Sequence, residues 1–246
     1  MPLKDRVPFL RRSFWRLVIG FPSVLRTGQV GDGREAAAVR YVLDHASAGD
    51  LDGVIAAIDR FAYSESILIN VGDEKGLLLD AAVRRSNAGL ALELGAYCGY
   101  SALRIARAAP RARVFSVEMN AANAENARRI WAHAGLGDRV RCVVGTIGDG
   151  GATLDALAAE GFAPGALDFL FIDHDKNAYL PDLLRIVERG WLHPGSVVVA
   201  DNILVPGSPK YRAHMRRSTA FDTVEHKTHA EYSKVPDLVL ESTYRG

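Results

Sequence analysis

The stretch Leu90-Ala91-Leu92-Glu93-Leu94-Gly95-Ala96-Tyr97-Cys98-Gly99-Tyr100-Ser101 decides how the chain is read. A short apolar run ends at a glycine turn, and a helical pattern follows from Ser101. That order is strand, tight turn, helix. Gly95 and Gly99 allow a sharp turn and a close approach to a ligand, with the helix N–H groups pointing at it. Glycine also serves ordinary strand–helix turns, so the turn alone names no ligand. Its spacing is G-x-x-x-G and lacks the G-x-G-x-x-G cradle of a pyrophosphate.

Downstream, the same alternation continues. Apolar runs at 114–117, 140–144, 167–172 and 197–200 are separated by helical segments at 101–109, 121–134, 153–159 and 181–188. Gly135 suits a position just past a helix end, and Pro181 a first helical turn. Strands alternating with helices in this way imply a parallel sheet joined by right-handed crossovers. Residues 219–245 are strand-like without a long helix, which adds a final antiparallel pair. Upstream, 36–45, 51–63 and 74–85 read as helices; in the second, Val54, Ile55, Ile58, Phe61 and Ala62 recur at helical spacing. The expected fold is α/β: a doubly wound, mostly parallel, seven-stranded sheet with extra N-terminal helices.

With 246 residues, 30 Lys+Arg against 29 Asp+Glu, and 48% hydrophobic residues, the chain suits one folded domain. Its formal charge of +1 gives no long-range pull on nucleic acid. Cys98 and Cys142 form no CxxC pair, which argues for a reducing, cytoplasmic compartment. No HExxH and no G-x-S-x-G occurs, so a helical zinc protease and a serine hydrolase of the elbow type are excluded.

Residues 1–30 stand apart from a domain expected over 31–246. Lys4, Arg6, Arg11, Arg12, Arg16 and Arg26 surround Phe14, Trp15, Leu17, Val18, Ile19, Phe21, Val24 and Leu25. The apolar run is too short, and too broken by Arg16 and Pro22, to cross a membrane. Two readings stay open: a loose terminus or added helix, or a basic apolar arm in peripheral contact with a membrane. If the segment is a mere appendage, turnover survives its removal.

Ligands of such sheets sit beyond the carboxyl ends of the strands, near the switch in strand order. Glu118 follows the second strand, where an acid accepts ribose hydroxyls or merely starts a helix. A ribose acid without pyrophosphate chemistry favours a nucleoside such as S-adenosylmethionine. Asp173-His174-Asp175-Lys176 follows the fourth strand and Asp201-Asn202 the fifth. Adjacent parallel strands lie about 4.8 Å apart, so Asp173, Asp201 and Asn202 can converge as hard oxygen ligands for Mg²⁺. Helix capping is the alternative for each acid. Lys176, three residues beyond Asp173, reaches the same place and is suited to act as a general base.

These residues carry a resemblance. LELGAYCGYS, VEMN, DHDKNAYLPD and ADNILVPGSP resemble the catechol O-methyltransferase family, as do GDGREAAAVRYVLDHA and NVGDEKG upstream and AEYSKV downstream. The likeness covers roughly 31–246. It implies a Rossmann-like methyltransferase fold and Mg²⁺-dependent methyl transfer from S-adenosylmethionine to an ortho-diphenol. It puts Asp173, Asp201 and Asn202 on the metal, makes Lys176 the base, and gives Glu231 the substrate's second hydroxyl. Val71, Glu93, Gly95, Tyr97 and Ser101 would meet the methionine part of the cofactor, and Glu118 its ribose. Met119 and His174 would lie near the adenosine, with Asp173 also bordering the cofactor. Pro206 would edge the substrate cleft, beside Lys176 and Asn202.

The departures concern substrate. Ile67 and Asp175 stand where the family has tryptophans, and Ile69 where it has methionine. Two isoleucines still wall a flat ring, whereas Asp175 offers a charge that would favour a polar or cationic substrate tail. Ile147-Gly148 replaces the family's Ser-Gln pair at adenine.

Overall fold

The computed structural model describes residues 11–246; the basic positions Lys4 and Arg6 lie outside them. Helix α1 spans Arg12–Thr27, α2 Arg34–His45, α3 Leu51–Ser64 and α4 Gly72–Ser86. Then β1 (Leu90–Leu94), α5 (Tyr100–Ala108), β2 (Arg113–Glu118), α6 (Ala121–His133) and β3 (Val140–Val144) alternate. They are followed by α7 (Ala152–Ala159), β4 (Leu167–Ile172), α8 (Tyr179–Glu188) and β5 (Leu192–Ala200). A π-type turn over Ile203–Gly207, α9 (Pro209–Met215), β6 (Phe221–His229) and β7 (Pro236–Tyr244) complete the order.

The seven strands form one sheet in the order β3-β2-β1-β4-β5-β7-β6. Five pair in parallel, and β7 runs antiparallel to both neighbours. The sheet is buried on both faces because its strands alternate between two cores. Ala91, Phe169, Phe171, Val197 and Val199 face α2–α6, while Leu92, Leu170, Ile172, Val198 and Ala200 face α7–α9. Near-continuous apolar runs are what a doubly covered parallel sheet demands. The strand order reverses between β1 and β4, so the strand ends there open the crevice.

Two elements differ from their expected extent. β5 begins at Leu192 rather than 197, and its register with β4 shifts between Leu167 and Phe169. His193-Pro194-Gly195 reads as a turn, but the irregular pairing carries the strand through it. α9 is too short for its period to show, and packing supplies its order: Tyr211 and Met215, one turn apart, are buried.

The stretch 12–27 forms a helix, and the chain after it is bonded to the domain. Asn120 Nδ2 donates to the Thr27 carbonyl at 2.6 Å, Asn123 Nδ2 to the Gly28 carbonyl at 2.9 Å, and Gln29 Nε2 to Asn123 Oδ1 at 2.9 Å. Arg34 clasps the carbonyls of Ser13 (3.1 Å) and Ile67. No helix of the described residues is long and apolar enough to cross a membrane.

Candidate active site

The turn after β1 is fixed by what lies against it. Gly95 has φ +99°, and a β-carbon there would overlap the carbonyl of Asp173 at the end of β4. The two strand ends therefore touch through backbone. Gly99, with φ +80°, caps α5; its carbonyl accepts from the Trp131 indole at 2.8 Å. Between them the Tyr97 N–H donates to Glu118 Oε2 at 2.9 Å, and the Tyr97 hydroxyl to Glu35 at 3.1 Å. Glu118 also accepts the Asn120 N–H at 2.8 Å. The carboxylate that follows β2 is thus held against the turn that follows β1. Burial raises its pKa against those backbone hydrogen bonds. Met119 beside it is half exposed, and Val71 is buried at the start of α4.

Two acceptors in this crevice have no partner among the described residues. Glu93 is wholly buried; Oε2 accepts from Ser116 and Oε1 from nothing. Burial pushes its pKa up to about 7, against the hydroxyls of Ser101 and Ser116. His174 shares Nε2 with Asp182 at 2.9 Å and stacks on Tyr179, while buried Nδ1 is unpartnered. Unsatisfied buried polar atoms are rare, and a ligand is a common reason for them.

At the ends of β4 and β5 the acidic residues converge as the strand pairing requires. Ile172 pairs with Ala200, and the Asp201 N–H donates to the Ile172 carbonyl at 3.1 Å. Lys176 Nζ lies 2.9 Å from Asp173 Oδ1, 3.1 Å from Asn202 Oδ1 and 2.5 Å from the Tyr179 hydroxyl. Asp201 is fully buried. Its Oδ1 accepts the Asn202 N–H at 2.6 Å and lies 2.7 Å from Lys75 Nζ; Oδ2 has no partner. Burial raises the Asp201 pKa, opposed by Lys75. Asn202 adopts φ +55°, and its Nδ2 reaches Glu231 Oε1 at 2.6 Å. One cluster thus holds Asp173, Lys176, Asp201, Asn202 and Glu231.

The expected substrate residues are arranged less uniformly. Pro206 follows a cis peptide in the exposed Leu204–Pro206 turn. Ile67 is buried and Ile69 half-buried. Asp175 is exposed, and its Oδ1 accepts from the N–H and side chain of Asn177 at 3.0 and 3.2 Å.

Lys75 and Asp237 were missed by sequence reasoning. Lys75 Nζ, with no side-chain exposure, contacts Glu231 Oε1 at 2.5 Å and Asp237 Oδ2 at 3.1 Å besides Asp201. Burial disfavours its ammonium, but the three carboxylates outweigh that and raise its pKa. Asp237 Oδ1 accepts the N–H groups of Leu204 (3.0 Å) and Val205 (3.2 Å), anchoring the turn before Pro206. A lysine on a helix and an aspartate opening a strand carry no local signature; only the packing of α4 on β5 and the β5–β7 pairing bring them together.

A crevice with a carboxylate held at the end of β2 and orphaned acceptors around it, at the switch point of this sheet, suits a nucleoside methyl donor. The class so defined is the S-adenosylmethionine-dependent methyltransferases. Residues 46–228 match the family model described as O-methyltransferase. A probable O-methyltransferase of Mycobacterium tuberculosis is 70% identical over 233 residues, covering 94% of this chain and all of that one. Catechol O-methyltransferase of Mus musculus is 38% identical over 218 residues, covering 88% of this chain and 81% of that one. Among solved structures, the O-methyltransferase TomG of Streptomyces achromogenes, in complex with S-adenosylmethionine, superposes with a TM-score of 0.63. It shares 23% identity over 78% of this chain and 89% of its own, and so speaks for the fold. The chain belongs to the S-adenosylmethionine-dependent O-methyltransferase family, of the catechol O-methyltransferase type.

Proposed function

We propose that the chain methylates one hydroxyl of a catechol or similar ortho-diphenol, with Mg²⁺ bound beside the acceptor. The observation that carries this is the orphaned, buried Oδ2 of Asp201, whose carboxylate shares one cluster with Asp173 and Asn202. The donor set is all oxygen, as Mg²⁺ prefers. Charge agrees: the carboxylates of Asp173, Asp201, Glu231 and Asp237 face the ammoniums of Lys75 and Lys176, leaving two negative charges when all are ionised. Asp173, Asp201 and Asn202 would hold the ion. Bound there, Mg²⁺ supplies a Lewis acid that lowers the pKa of a coordinated hydroxyl.

Glu93, Ser101, Glu118, Met119 and His174 would hold S-adenosylmethionine, with Val71, Gly95, Tyr97 and Asp173 bordering it, and the orphaned Glu93 Oε1 and His174 Nδ1 fit a ligand rich in cations and donors. S-adenosylmethionine supplies the methyl group on its sulfonium. As the free amine, Lys176 Nζ, steadied by Asp173, Asn202 and Tyr179, would take the proton of the attacking hydroxyl and become the ammonium. Glu231 accepts a hydrogen bond from the second hydroxyl, and Pro206, Ile67 and Ile69 border the ring. The exposed Asp175 would favour a polar or cationic tail. Alignment of the two reactants can contribute about 7–11 kcal/mol to the barrier reduction.

The test is methyl transfer to a panel of diphenols with Mg²⁺ and with EDTA. Product on ortho- but not meta-diphenols, lost with EDTA, is expected. Equal product in EDTA overturns the metal, and no product from any ortho-diphenol overturns the substrate.

A second observation concerns placement. α1 carries Arg12, Arg16 and Arg26 and no acid, while Ile19 is 79% and Trp15 55% exposed. That favours contact of α1 with an anionic lipid surface, from a cytoplasmic protein with free thiols. Co-sedimentation with phosphatidylserine vesicles but not phosphatidylcholine vesicles is expected; none with either removes the contact.

A further inference from the structure

Carboxylate oxygens of Asp201, Glu231 and Asp237 all lie within 4.8 Å of one another, close enough to share a metal ion. Their shared neighbour is instead Lys75 Nζ, 2.7, 2.5 and 3.1 Å from the three. Asp201 therefore presents two different oxygens to two different places. Oδ1 faces the ammonium, and the buried Oδ2 is left without a partner for a second cation. A carboxylate shared between two cations is the arrangement of a two-metal centre, whose ions sit about 3.5–4 Å apart.

We propose that Lys75 is a positioning residue, a fixed positive charge standing where a second divalent ion would otherwise bind. It makes the metal site mononuclear and restricts Asp201 to ligation through Oδ2. It also keeps Glu231 off the metal: Oε1 is held by Lys75 and by Asn202 Nδ2, so the carboxylate stays available to substrate. Burying a lysine this completely is costly unless its charge is met, and three carboxylates meet it. An apolar side chain of similar length would fill the same volume, so the ammonium itself is what the site uses. This inference rests on the metal reading above.

The experiment is titration of the full-length protein with Mn²⁺ alone, followed by electron paramagnetic resonance. The wild type should bind one equivalent with the spectrum of an isolated ion. Lys75→Met should bind two equivalents with the broadened signal of a spin-coupled pair. Lys75→Met combined with Asp237→Asn lowers both charges together, so binding should return to one equivalent. Two equivalents in the wild type, or one in a folded Lys75→Met with unchanged Kd, overturn the inference. If Lys75→Met fails to melt cooperatively, the wild-type count and the double variant decide. No Mn²⁺ bound by the wild type overturns instead the metal reading on which the inference stands.

Discussion

Lys176 and Asn202 are joined across two strand ends: Nζ of the first donates to Oδ1 of the second at 3.1 Å. The third residue beyond Asp173 thereby meets the residue beyond Asp201, and the proposed base and the proposed metal ligand share one corner. A general base so placed contributes typically 10²–10⁴-fold. Lys176→Ala should therefore lower kcat by at least about 100-fold while cofactor Kd, read by calorimetry, stays within about twofold. Turnover retained within a few-fold would assign the proton to another group.

Asp201→Asn tests the orphaned oxygen. Even groups that only orient metal ligands are typically worth about 10–100-fold in affinity, so Mg²⁺ Kd should rise by at least about tenfold. An unaltered Mg²⁺ titration would put the ion elsewhere.

Glu93 should give the ligand-free protein a pH signature. Its carboxyl titrates near 7 when folded against an ordinary value of 4.5, so the folded state binds more protons between those limits. Stability from this group is therefore lost as pH rises from about 4.5 to about 7. The Tm of the wild type relative to Glu93→Gln should fall over that window, and cofactor affinity should rise as Glu93 ionises. A pH-independent Tm difference would mean Glu93 does not titrate there.

Removal of residues 1–30 should weaken cofactor binding by about tenfold, about the effect of a supporting partner lost from a site. The carbonyls of Thr27 and Gly28 hold Asn120 and Asn123, next to Glu118. An unchanged Kd in the truncated protein would make the segment the appendage that its sequence first suggested.

Gly95→Ala combines a left-handed backbone with an overlap against the Asp173 carbonyl. A cost above about 1–3 kcal/mol is expected from the strain alone, read as a lower Tm, together with loss of cofactor binding. A variant that melts and binds like the wild type would show that the two strand ends are not in contact.

Much of this was legible because parallel sheets write themselves plainly. The runs at β1 and β4 were found with their boundaries, and the polar residues at the ends of β2, β4 and β5 pointed to one crevice. Asp173, Lys176, Asp201, Asn202 and Glu231 stood in the sequence beside recognisable motifs. Lys75 did not, although it lies within NVGDEKG, because a buried ammonium is defined by carboxylates that only the fold assembles. Asp237 was hidden for the same reason: its role depends on β7 entering between β5 and β6. β5 was read too short because Pro194-Gly195 obeys local turn chemistry while its pairing with β4 overrides it.

Trp131 donates its indole N–H to the carbonyl of Gly99, the residue that ends the glycine turn. Trp15 lies on α1, and Trp191 packs against Phe162. Of the three indoles, one therefore hangs directly on the loop that a nucleoside would press upon. The molecule carries its own optical gauge, and a change in ultraviolet emission that disappears in Trp131→Phe would time the arrival of ligand without any added dye.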